Sequence, residues 1–182
     1  MFRRSIVALA VILFFAAAAH AQIKSSGTVQ CDKPDPQHML PVTDTPDHSF
    51  AISQAKCTWT KPLEIDGVQS KEGTTWDSSE IRAGTTRVHG YFEDTMANGD
   101  KILYRYDGKA AKDGTAEDKW SVVRGTGKFK GLKGSGTCEG KVSPDGSATW
   151  ECEGEYQLPA AKPKAGGQEH PKKEEHPKKG KP

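Results

Sequence analysis

Several large functional classes are missing from this sequence at the level of motif. It has four cysteines but no C-x-x-C pair, and six histidines but no H-x-x-x-H spacing, so a structural zinc site has no ligand frame. A phosphate-binding loop fails at both ends: Gly127-Lys128 is followed by Phe129, and Val122 stands where its first glycine belongs. The dinucleotide fingerprint fails too, because Lys130 and Glu139 occupy the third glycine positions after Gly125-x-Gly127 and Gly134-x-Gly136. There is no G-x-S-x-G elbow for a hydrolytic serine. No apolar run is long enough to span a bilayer, which takes about 20 residues; the longest, Ile6 to Ala19, has fourteen. Between Ser49 and Gln157 no window carries a capped three-four apolar repeat, which excludes substantial helix.

Basic charge is also scarce where a nucleic-acid-binding domain would need it. The chain has 26 basic and 24 acidic residues. Setting aside Arg3 and Arg4, and the seven Lys and three Glu from Leu158 onward, leaves a body of 17 basic and 21 acidic residues. An acidic body lacks the electrostatic footprint that nucleic acid requires. Nothing in the sequence implies a cofactor or a metal.

The composition divides the chain into four parts. Residues 1–21 read as a secretory signal peptide, with a basic start, the fourteen-residue apolar run and the small-x-small site Ala19-His20-Ala21. Export to the periplasm or the exterior follows, without a transmembrane anchor. Residues 22–48 form a proline-rich segment: DKPDPQHMLPVTDTPD (Asp32 to Asp47) has four prolines and reads as a loop or edge-hugging stretch, with His38 and His48 as solvated residues. Residues 49–157 form the β domain. Residues 158–182 carry a doubled EHPKK (Glu169–Lys173 and Glu175–Lys179) and too little apolar surface to fold, so disorder is expected there. This basic tail could attach to an anionic cell-envelope component.

The domain is all-β. Strands are expected at Ser49–Thr60, Leu63–Gln69, Thr74–Arg82, Thr86–Thr95, Lys101–Tyr106, Lys119–Arg124, Lys128–Val142 with a bend, and Ser147–Gln157, with a short one near Gly27–Cys31. Asn98-Gly99 marks a hairpin with two registers: a two-residue loop sets Glu93 against Tyr104, and a three-residue loop sets Phe92 against Tyr104 with better apolar matching. In the last hairpin, Pro144-Asp145-Gly146 suits a three-residue turn with Gly146 left-handed. Val142 then faces Ala148, Gly140 faces Trp150, Cys138 faces Cys152, Gly136 faces Gly154 and Gly134 faces Tyr156. Gly140 and Gly134 would leave room for the two rings. Thr137, Glu139, Lys141, Thr149, Glu151, Glu153 and Glu155 fall on the wet side. Phe129 and Leu132 break the period of two, so a bend near Gly131 is needed to turn both inward.

Four cysteines in an exported chain favour two disulfides. The hairpin register pairs Cys138 with Cys152, and exclusion pairs Cys31 with Cys57. No catalytic residue stands out. Many carboxylates are available for acid–base work, and His89, in the aromatic run Val88 to Phe92, reads as a satisfied or surface histidine.

The run GTGKFKGLKGSGT, with Trp120 before it and NGDKILYRYDG (Asn98 to Gly108) upstream, resembles the allene oxide cyclase and dirigent-like β-barrels, in particular exported bacterial members. The resemblance implies an antiparallel, eight-stranded closed barrel with a cavity for a small apolar or aromatic molecule. Trp59, Trp76, His89, Tyr104 and Trp120 are the candidate ligand-binding residues, chosen for their amphipathic rings. The expected function is a non-catalytic binding or structural barrel. The alternatives are a cyclase or dirigent-type enzyme acting on a hydrophobic substrate, and an envelope protein acting through its tail.

Overall fold

The computed structural model describes residues 22–159. The leader (1–21) and the tail beyond Pro159, with its EHPKK repeats, lie outside the described residues. Ten strands follow in chain order: β1 (Gln22–Cys31), β2 (Gln37–Pro41), β3 (His48–Lys61), β4 (Glu64–Ile65), β5 (Val68–Arg82), β6 (Thr85–Met96), β7 (Lys101–Ala110), β8 (Thr115–Gly125), β9 (Lys133–Val142) and β10 (Ala148–Gln157). The only helical turn among the described residues is a 3₁₀ turn at Gly127–Phe129.

Eight strands close a ring, β1-β10-β9-β8-β7-β6-β5-β3, and β3 returns to pair with β1. All neighbours are antiparallel, and closure leaves the ring without a free edge. The proline-rich segment lies along β3: the amides of Asp32 and Asp35 donate to the carbonyls of Lys56 and Gln54 at 2.8 and 2.7 Å, after which β2 pairs with the first half of β3. Prolines are tolerated there because β2 is an edge strand.

The final hairpin has the register read from its turn, from Val142–Ala148 through Cys138–Cys152 to Gly134–Tyr156. The Asn98-Gly99 hairpin takes the three-residue loop, pairing Phe92 with Tyr104, with Gly99 left-handed at φ 83°. Both disulfides are formed, Cys31–Cys57 between β1 and β3 and Cys138–Cys152 between β9 and β10, leaving no free thiol.

Three strand assignments change. Leu63–Gln69 is not one strand, because Asp66 and Gly67 (φ 51° and 75°) form a tight primed turn between Ile65 and Val68; the second half belongs to β5. The short strand near Gly27 is a full barrel strand beginning at Gln22, so the barrel starts well before Ser49. The bend expected near Gly131 is the 3₁₀ turn followed by a left-handed Gly131 (φ 83°), and β9 starts only at Lys133. That turn buries both Phe129 and Leu132.

The two ends of the barrel differ. At the end that holds the turns at Asp66-Gly67, Asn98-Gly99 and Gly127–Phe129, the interior is packed solid by Ile65, Met96, Ile102, Phe129, Leu132 and Tyr156. Each of these large apolar side chains contributes roughly 1.5–3 kcal/mol by leaving water. Leu158 packs against the same cluster and fixes the chain just beyond β10. The opposite end, with the turns at Ala83-Gly84, Ala111–Gly114 and Ser143–Ser147, is the open one.

His48, expected as a solvated loop residue, is buried at the start of β3, whereas His38 is exposed on β2. Its Nδ1 lies 2.7 Å from Asp44 and its Nε2 3.0 Å from Glu80 on β5, and Arg82 approaches Asp44 at 3.5 Å. A carboxylate thus faces each ring nitrogen of His48. The pair clips the turn before β3 to the rim of the barrel.

Candidate ligand cavity

Side chains alternate along each strand, so one residue in two of every barrel strand points inward. On β9 and β10 four of the ten inward positions are glycine: Gly134, Gly136, Gly140 and Gly154. A Cβ at Gly136 or Gly154 would overlap the Trp120 ring, and one at Gly140 would overlap Trp150. These glycines therefore give wall space to rings from the neighbouring strands, Trp120 and Tyr156 among them, and the rings form a shelf across the barrel. Tyr104 meets Trp120 edge-on at 5.3 Å between centroids, and Trp120 stacks on Tyr156 at 5.4 Å. Phe92 extends the shelf from Tyr104 (6.2 Å) to Trp59 (6.3 Å).

Above the shelf the barrel is hollow. A cavity of about 300 Å³ opens at the unplugged end, walled by Val29, Val88, Ala116, Ala148 and both disulfides. Of the five candidate ligand residues, Trp59, Tyr104 and Trp120 line this cavity. Trp76 and His89 do not, because they alternate with inward Thr75, Asp77, Val88 and Gly90. They sit together on the outer face, where Trp76 (43% exposed) pairs across the ladder with Tyr91 (45% exposed) and His89 is hydrogen-bonded to Asp107.

Three carboxyls that sequence reading did not single out lie inside the barrel. Asp94 on β6 is fully buried beneath the shelf. It accepts a hydrogen bond from Trp59 Nε1 at 3.0 Å, while its Oδ2 has no partner. Burial pushes its carboxyl up to about 7, against the opposing pull of the Trp59 hydrogen bond. Asp77 on β5 and Asp118 on β8 face the cavity itself. Burial raises Asp77 to about 6, opposed by its hydrogen bond from Thr75 Oγ1 at 3.2 Å, and Tyr106 also donates to it. Burial, reinforced by the charges of Asp77 and Asp107, raises Asp118 to about 7. Tyr104 and Tyr156, whose hydroxyls lie 3.5 Å apart, are raised far above the usual phenol range by burial. The signal for two of the three was parity: Asp94 shares the face of Phe92, and Asp118 that of Trp120.

Among the described residues no group of three or more His, Cys, Asp or Glu side chains is arranged to hold a metal ion. None of the described helical segments is long and apolar enough to cross a membrane.

Fold and site together define a small closed barrel, plugged at one end and hollow at the other, with an aromatic shelf and acidic groups in its wall. In fold the chain is similar to the pterocarpan synthase dirigent protein GePTS1, at 13% identity and TM-score 0.48 over 86% of this chain and 98% of that one. It is similar also to the pterocarpan synthase dirigent protein PsPTS1 (13% identity, TM-score 0.47, 76% and 96% covered). A third similar structure is a conserved protein of unknown function from Rhodopseudomonas palustris (6%, TM-score 0.42, 74% and 98%). No protein-family model matches the chain, and no curated protein does.

Proposed function

We propose that this protein is an exported, non-catalytic barrel that holds one small apolar or aromatic molecule above its ring shelf. The observation that carries the reading is the open cavity of about 300 Å³, walled largely by apolar groups and floored by Trp59, Phe92, Tyr104 and Trp120. Packing alone does not call for it, since the same barrel is filled solid below the shelf. A volume of this size is at the low end of small-molecule pockets, and a few polar groups in an apolar wall are the usual means of orienting a ligand. Two disulfides support folding in an oxidising compartment, in keeping with the leader-like residues 1–21. The basic tail would add attachment to an anionic envelope component.

Native mass spectrometry of the full chain purified from its own host tests this reading. The expected spectrum has a population heavier than the disulfide-bonded mature chain by one small organic molecule, lost on mild activation. Only the bare mass, in wild type and after incubation with host extract, would contradict it.

The raised carboxyls of Asp77 and Asp118 favour a second reading, acid–base chemistry on a hydrophobic substrate. The same sample separates the two: a binding protein returns the extracted ligand unchanged after prolonged incubation, whereas an enzyme consumes it.

A further inference from the structure

The chemistry of the cavity wall narrows the ligand class, and this step rests on the binding reading above. Asp77 and Asp118 stand on β5 and β8, with β6 and β7 between them. At the corresponding inward positions those two strands carry Gly90 and Gly108. A Cβ on Gly108 would overlap Asp118 Oδ1, and one on Gly90 would reach within 2.5 Å of Asp77 Oδ1. Both carboxyls therefore lean over bare backbone into the space beside Tyr106. Asp77 is held there by Tyr106 and Thr75. Asp118 is not: its Oδ1 is shielded from solvent and accepts no hydrogen bond.

A buried acceptor without a partner is costly, and two carboxyls that face one cavity, the charge of Asp77 raising Asp118, are costlier when ionised. Among the described residues no ion pair relieves them. The cavity lining has three acidic residues, Asp32, Asp77 and Asp118, against one basic residue, Lys109, whose ammonium is drawn to Glu117 at 2.9 Å. Trp120, Tyr104 and Trp59 line the same cavity, and the face of an aromatic ring attracts a positive charge.

We propose that the cavity selects an organic cation: a protonated amine on an apolar or aromatic body, with its ammonium donating to Asp118 and Asp77 and its body resting on the aromatic shelf. Such a ligand supplies the missing donor at Asp118 and neutralises the carboxyl pair. A neutral ligand of the same shape would do neither.

Calorimetric titration at about pH 8, where the carboxyls would be ionised, with three probes sharing one indole body tests this. Tryptamine carries an ammonium, tryptophol a hydroxyl and indole-3-acetate a carboxylate. Tryptamine is expected to bind at least about tenfold more tightly than tryptophol, with indole-3-acetate the weakest, since an unpaired buried charge is the strongest discriminator available. D118N should erase most of the preference for tryptamine and leave tryptophol within about twofold, because the apolar contacts remain. Equal affinity for tryptamine and tryptophol, or a preference for indole-3-acetate, would overturn the cation assignment while leaving a hydrophobic binding protein. No binding by any of the three would count against both. If D118N fails to fold, the comparison of the three probes on wild type decides the matter alone.

Discussion

Reduction of both disulfides is expected to lower the barrel's stability by about 6–7 kcal/mol and to bring it close to unfolding at room temperature. The bridges close loops of 14 and 26 residues. Loop-closure entropy assigns them about 3 and about 3.5 kcal/mol, and a domain of this size has only about 5–15 kcal/mol in total. They are also placed where the fold is most dependent on them. Cys31–Cys57 ties β1 to β3, the pair that shares only a short ladder and completes the ring. Cys138–Cys152 joins β9, whose inward face is mostly glycine and contributes little apolar burial of its own, to β10. Urea titration of the oxidised protein, the reduced protein and the C31S/C57S and C138S/C152S variants would measure both terms. A reduced barrel whose unfolding free energy falls by less than about 1 kcal/mol would show that closure does not rest on the cross-links.

Raising the pH from about 5 to about 8 is expected to destabilise the protein, the reverse of the usual behaviour of a carboxylate-bearing domain. Asp94 is the cleanest source, being fully buried with its carboxyl pushed up to about 7. An aspartate in the unfolded chain titrates near 3.9, so between these values the folded state binds the extra proton. Stability is therefore greatest below the unfolded value and is lost as the pH rises through the folded one. For Asp94 the loss over this interval is roughly 3 kcal/mol, and Asp118 and Asp77 add to it in the same direction, by less because they face an open cavity. D94N keeps an acceptor for Trp59 but has no proton to lose. Its melting temperature should fall much less with pH than that of wild type, and the two curves should converge or cross toward about pH 8. Parallel curves would mean that Asp94 is ionised in the folded protein despite its burial.

The parts of the fold legible in the sequence are those where a turn fixed the register. Pro144-Asp145-Gly146 determines a whole hairpin, because one left-handed glycine sets every cross-strand pair behind it, whereas Asn98-Gly99 marks its hairpin but leaves two registers open, of which the structure takes the three-residue one. The bridge between Cys138 and Cys152 follows from the first of these. Asp66-Gly67 is an equally clear signal, and overlooking it merged two segments into one strand. β1 was nearly invisible, since apart from Ile23, Val29 and Cys31 its inward side is Ser25 and Gly27, and its longer ladder is with β10, more than a hundred residues away.

The site was half legible for a different reason. Aromatic rings were chosen by chemistry, and chemistry does not tell which face of a strand a residue occupies. Trp59, Tyr104 and Trp120 share the inward parity, while Trp76 and His89 lie one step out of phase and face solvent. Parity would have located Asp94 and Asp118 as well, on the faces of Phe92 and Trp120. Asp77 could be placed only once β5 was known to pair with β6, setting it level with Gly90 and Tyr106.

The central claim, that the hollow half of this barrel is a binding site, is tested most directly by filling it. Ala55 is buried on the inward face of β3 and lines the cavity, so A55F projects a ring into that space. Titration with the neutral fluorophore N-phenyl-1-naphthylamine should give saturable one-to-one enhancement with wild type and none with A55F, while A55F retains the wild-type far-ultraviolet spectrum and cooperative unfolding. Equal binding by wild type and folded A55F, or no saturable binding by wild type, would contradict it.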